Sequence, residues 1–141
     1  MTQRRDMNVT ARPLNISKAE GASRQVEEAI KALERGNFDI AVTLAGAAEG
    51  MLERSGRHMW SYMLQSPQAA AFDEKKELVP FLNAQRDWLK HTSGDDTMTF
   101  TRAHAAIMIA RAMPKLETWS PRMKRFKRWF EADLEEVLQA L

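Results

Sequence analysis

The sequence predicts an all-α protein, an up-and-down helical bundle of four to five helices. Three observations carry that expectation. Apolar residues recur at three- and four-residue spacing in window after window, serine-based capping signals mark helix starts, and no segment alternates convincingly at period two.

The elements follow in order. Ser17-Lys18-Ala19-Glu20 reads as a capping box, with the serine capping and the glutamate reaching back. Ala22, Val26, Ala29, Ile30 and Leu33 then form one stripe, and Gly36 closes the first helix. Asn37-Phe38-Asp39 restarts the chain at once, so helices one and two should form an antiparallel hairpin. The second helix carries Ile40, Leu44, Ala47, Met51 and Leu52, with Ala41, Ala45 and Ala48 as a flank small enough for close helix approach, and Gly56 should end it. Residues 58–65 are short and aromatic, with His58, Trp60 and Tyr62. Ser66-Pro67 is an N-cap followed by proline at the first helical position, leading into a weak helix or loop through Phe72. A third main helix is expected over residues 76–92, kinked or truly started by Pro80. After a loop at Ser93-Gly94-Asp95-Asp96, a fourth helix is expected over residues 99–118. Its apolar residues lie all round, which suggests burial on more than one side, a subunit contact included. Ser120-Pro121 starts a fifth, with the stripe Met123, Phe126, Phe130, Leu134, Val137 and Leu141. No repeat of solenoid length is present, which counts against a tetratricopeptide-like scaffold.

Composition narrows the function classes. The 141 residues suit a single domain, and 44% hydrophobic with 28% charged residues is the balance of a globular chain. With no cysteine there is no disulfide scaffold, thiol nucleophile or cysteine-built zinc site. No apolar run is long enough to span a membrane, and Arg4, Arg5, Asp6 and Arg12 interrupt any signal-peptide core, so a cytoplasmic protein is expected. The whole formal excess of +2 sits in residues 1–16, a basic flexible N-terminal segment ahead of a single helical domain over 17–141. That body is formally neutral, which argues against a general binder of duplex DNA. The run Arg122, Lys124, Arg125, Lys127 and Arg128, followed by acidic residues, reads first as a solvated helix face.

Most catalytic motifs are absent. No Glu-x-x-His pair, zinc-protease motif, P-loop, dinucleotide fingerprint or nucleophile elbow occurs, and the dispersed His58, His91 and His104 suggest no metal site and no cofactor. One constellation is left, on the third main helix: Asn83, Arg86, Asp87, Lys90 and His91 share a polar side opposite Leu78, Phe81, Leu82, Trp88 and Leu89. An arginine fork, a carboxylate and an imidazole make the inventory of metal-free phosphate-ester chemistry. Arg86 suits two phosphate oxygens, His91 exchanges protons near neutrality, and Asp87 lies four residues before His91, where it can orient the ring. Asn83 and Lys90 are candidate phosphate or RNA contacts. The competing reading is a solvated face with local ion pairs. Trp88, Trp119 and Trp129 lie near apolar stripes, which favours packing over base stacking. Five residues of helix rotate Arg86 about 140° from His91. One copy therefore aims them apart, whereas two copies about a two-fold axis would share one cleft.

The run Arg86-Asp87-Trp88-Leu89-Lys90-His91 resembles the R-x4–6-H motif of the HEPN superfamily, the higher eukaryotes and prokaryotes nucleotide-binding domains. The run Asn37-Phe38-Asp39-Ile40-Ala41-Val42-Thr43-Leu44-Ala45-Gly46-Ala47-Ala48-Glu49 is similar to the second-helix signature of a bacterial HEPN-like group. The resemblance spans roughly residues 17–130 and implies a HEPN-like dimeric bundle that acts as a metal-independent endoribonuclease, a toxin or defence effector. Arg86, Asp87 and His91 would be its catalytic residues, RNA its substrate, and an antitoxin protein a further partner. It implies attack by a ribose 2′-hydroxyl and a 2′,3′-cyclic phosphate product. Other members of the superfamily are catalytically silent binding modules for a nucleotide or a partner protein, and that alternative stays open.

Overall fold

A computed structural model describes residues 9, 10, 12–52 and 75–140, with backbone alone over 75–82. Six α-helices form among them: α1 (Lys18–Glu34), α2 (Phe38–Met51), α3 (Lys75–Lys90), α4 (Arg102–Ala112), α5 (Pro121–Ala132) and α6 (Leu134–Gln139), with a 3-10 turn at Met113–Lys115. No strand occurs among the described residues, and no helix there is long and apolar enough to cross a membrane. His58, Trp60, Ser66-Pro67, Gly56 and the arginines at 4 and 5 lie outside the described residues.

The first hairpin forms for local reasons. The Ser17 hydroxyl accepts from the Glu20 N–H at 3.1 Å while the Glu20 carboxylate accepts from the Ser17 N–H at 3.4 Å, a cap that contributes about 1 kcal/mol. At the other end Asn37 N–H bonds the Ala32 carbonyl and Gly36 N–H bonds Leu33, a Schellman closure that needs the φ of +80° held by Gly36. The expected stripe Ala22, Val26, Ala29, Ile30 and Leu33 is buried. On α2 the buried surface is Ala41, Val42, Ala45, Gly46 and Ala48, small residues that admit α1 on one side and α4 on the other.

Later elements depart from the expected bounds. α2 gives way at Leu52, which is extended. α3 runs through Pro80, which therefore lies in its second turn instead of starting it and leaves the carbonyl one turn back without its helical donor. α4 starts later and stops earlier than residues 99–118. Thr101 caps it, with His104 as the reciprocal partner, and Pro114 tightens the chain into the 3-10 turn. The single helix expected from Pro121 onward is broken at Asp133, whose φ of −107° and ψ of 17° leave the helical region. Neither glycine nor proline marks that break, and the buried stripe Met123, Phe126, Phe130, Leu134 and Val137 continues across it.

α4 organises the rest. Ala103, Ala105, Ala106, Ile107, Met108, Ile109, Ala110 and Ala112 are all buried, and the helix touches each of the other five. Its all-round apolar character is thus satisfied within one chain, and no subunit contact is needed to explain it.

Candidate functional site around Arg86 and Glu49

Two charged residues lie near the ends of helices otherwise rich in buried alanine: Glu49 near the end of α2 and Arg111 near the end of α4. A charge in such a place needs a partner, because an unpaired buried ion costs several kcal/mol. They find each other. Arg111 Nε lies 2.7 Å from Glu49 Oε2, and Arg111 Nη2 donates to Glu49 Oε1 at 2.8 Å, a bidentate fork with both side chains only 11% and 13% exposed. The remaining Arg111 Nη1 donates to Asn83 Oδ1 of α3. Lys115 Nζ donates to the Glu49 carbonyl at 2.7 Å, satisfying one of the orphan carbonyls at the end of α2. Burial pulls the Arg111 guanidinium below its ordinary value, Glu49 pulls it back up, and the neighbouring Arg86 cation adds to the lowering.

Arg86 joins this cluster from the side. Its stem crosses α2 at Gly46, where an added Cβ would stand 2.9 Å from Arg86 Cδ and 3.1 Å from Cγ. Nη1 reaches Glu49 Oε1 at 3.4 Å, and Nη2 reaches Asp87 Oδ1 at 3.3 Å. These contacts are longer than the 2.7–2.9 Å of strong charge-assisted bonds, unlike those of Arg111. Arg86 is therefore the loosely held member, fixed by packing more than by its ion pairs.

The expected polar side of this helix is split. Asn83 and Arg86 face α2 and α4 of the same chain, because Glu49 and Arg111 supply matching charges there. Asp87 is half-exposed beside Arg86. Lys90 and His91 are exposed at the end of α3 and make no hydrogen bond or ion pair among the described residues. Arg86 and His91 thus do not converge within one chain: Arg86 packs inward against α2, whereas His91 is exposed past the end of the helix. The loop that carries His91 is anchored by Trp88, whose Nε1 donates to the Asp95 carbonyl at 2.7 Å and whose ring packs edge-on against Phe100.

Glu49, Arg111 and Lys115 were not singled out by sequence reasoning. The signal was present: a carboxylate among alanines on α2 and a guanidinium within the apolar run of α4 call for one another. His104 has a structural task, its Nδ1 accepting from the Thr101 N–H at 3.1 Å, and burial pushes its imidazole below the ordinary value. No group of three His, Asp or Glu side chains placed to hold a metal occurs among the described residues.

Compared with known proteins, the chain matches no family model, no curated protein and no solved structure.

Proposed function

We propose that the protein is a metal-independent endoribonuclease whose site is completed by a second copy of the chain. The observation that carries the reading is the division of labour on α3. Arg86 is held in a fixed place by Gly46 with long, replaceable ion pairs, while His91 stands exposed past the last residue of the helix, Lys90. A phosphate oxygen meets an arginine that retains donor capacity, and a ribose hydroxyl meets an accessible imidazole. Because the two side chains diverge in one protomer, the opposed pair must come from its partner.

In this reading His91 accepts the 2′-hydroxyl proton, the oxygen attacks phosphorus, and Arg86 stabilises the charge that develops on the phosphoryl oxygens. The leaving 5′-oxygen takes a proton and the other fragment keeps a 2′,3′-cyclic phosphate. Asp87 orients its neighbours, and Asn83 works at one remove by positioning Arg111. Lys90, exposed beside His91, is available to a strand phosphate. A cytoplasmic toxin or defence effector restrained by an antitoxin protein is the biological setting this activity fits.

One observation favours a second reading. Both ion pairs of Arg86 lie within its own chain, as they would in a catalytically silent HEPN-like module that binds a nucleotide or a protein. Incubation with end-labelled RNA in EDTA separates the two. The nuclease gives RNA-specific cutting with cyclic-phosphate ends, DNA stays intact, and His91→Ala abolishes cleavage while circular dichroism stays helical. Cutting by His91→Ala at the wild-type rate removes the site assignment, and no cutting by the wild type leaves the binding module.

A further inference from the structure

At the opposite end of α4 from Arg111 lies a second collection of arginines. Arg102 opens that helix, about 13 Å along the axis from Arg111. Beside it, the last turn of α1 and the first three turns of α5 enclose a groove of about 350 Å3, lined by Leu33, Glu34, Arg102, Arg122, Arg125, Phe126 and Trp129. The floor is apolar: Leu33 and Phe126 are buried, and Trp129 is half-buried with its ring 5.8 Å from that of Phe126. The rim is cationic.

The three arginines are not equivalent. Arg122 is spent on carboxylates, with Nη1 at 2.8 Å from Glu27 and Nε at 3.4 Å from Glu34. This also accounts for the acidic member of the lining. Arg102 and Arg125 are exposed and make no ion pair among the described residues. Arg102 stands over the Phe38 ring, its guanidinium carbon 5.7 Å from the centroid. A cation–π seat holds the group in place while leaving its N–H donors unused. The groove thus offers a half-buried indole and two arginines without ion pairs along one hollow, at the small end of the range for ligand sites.

We propose that this groove binds one unit of a single-stranded nucleic acid, the base against Trp129 and the flanking phosphates on Arg102 and Arg125. Planar aromatic floor and free arginines together match a base linked to a phosphate, whereas an acidic peptide would use the cations and leave the indole idle. The assignment goes beyond the nuclease reading and does not require it, since nothing in the groove reacts.

The test is anisotropy of a short labelled oligodeoxythymidylate, which lacks the 2′-hydroxyl and survives any ribonuclease. The proposal expects saturable binding to the intact protein. Trp129→Leu should weaken it about tenfold, with Trp129→Phe restoring most of the loss. Arg102→Ala and Arg125→Ala should each reduce the slope of log affinity against log salt by about 0.7, a change that a merely structural role would not produce. Absence of binding overturns the proposal. So does binding that is indifferent to Trp129 or equalled by oligoglutamate. Binding without RNA cleavage upholds the groove and removes the nuclease. Cleavage together with an empty groove does the reverse.

Discussion

The two ends of α4 handle arginine in opposite ways. At the C-terminal end Arg111 is nearly enclosed and doubly bonded to Glu49, with Arg86 drawn to the same carboxylate and Asn83 accepting from Arg111 itself. At the N-terminal end Arg102 lies on an aromatic ring in the open, next to an equally uncommitted Arg125. The first arrangement is what a buried cation requires in order to exist. The second is costly in nothing but side-chain entropy and leaves donors facing water. A matched cluster holds helices together, and an unmatched one is available to a ligand. Arg86 falls between the two, packed like a structural group and paired as loosely as a functional one.

The largest test of this contrast is to remove the shared carboxylate. Glu49→Ala strands Arg111 inside the bundle and should cost about 3 kcal/mol of stability, read from the urea midpoint. A loss under 1 kcal/mol would mean that the cluster is no more matched than the groove. Next comes the packing of Arg86 on Gly46. Alanine is a better helix former than glycine by about 1 kcal/mol, but its methyl would displace the Arg86 stem. Gly46→Ala should therefore be near neutral in the wild type and stabilising by about 1 kcal/mol once Arg86 is alanine, a double-mutant cycle that isolates the contact.

A smaller effect separates the two ends by pH. His104 caps the groove end of α4, and burial lowers its imidazole from the ordinary 6.5. The folded state thus binds fewer protons than the unfolded one, so this stabilisation is complete above pH 6.5 and is lost as pH falls through and below it. Glu27 acts only in more acidic solution. Burial would raise its carboxyl, but the Ser120 hydroxyl and Arg122 together outweigh that and hold it below 4.5, so its contribution is lost as pH falls beneath that value. Between pH 7.5 and about 5.5 the decline in stability should follow His104, and His104→Gln, which keeps an acceptor for the cap, should flatten it. Smallest of all, Arg125→Ala should change stability by less than about 0.5 kcal/mol, because no carboxylate depends on it.

How much of this was legible depends on whether the signal is local. Ser17 with Glu20, Gly36 and Ser120-Pro121 announce their turns within four residues, and the structure places all three at helix boundaries. Pro114 carries equally plain information inside an apolar run that continues past it, and α4 ends at Ala112, two residues before it, short of the expected residue 118. The break at Asp133 is marked only by Asp133-Leu134-Glu135-Glu136, a helix-start pattern embedded in a continuing apolar stripe, and the Asp133 side chain makes no cap hydrogen bond. The face of α3 could not be oriented from its own sequence either. Periodicity separates Asn83 and Arg86 from the apolar side, but it cannot tell that Glu49 and Arg111 wait on other helices to draw that polar side inward. Arg86, Asp87 and His91 stood out as chemistry, whereas the groove residues looked like an ordinary charged helix and an ordinary core tryptophan. Their meaning lies in the meeting of α1, α4 and α5, which no single stretch records.

The position of α4 also bears on how the chain is made. As the polypeptide leaves the ribosome, the α1–α2 hairpin emerges before α4 with its alanine trough open to water, and the helix that fills it is synthesised only after α3. The hairpin must wait for a segment encoded far downstream, and any cut ahead of Arg102 removes the common keel of the molecule. Fragments ending there should be sticky and protease-sensitive.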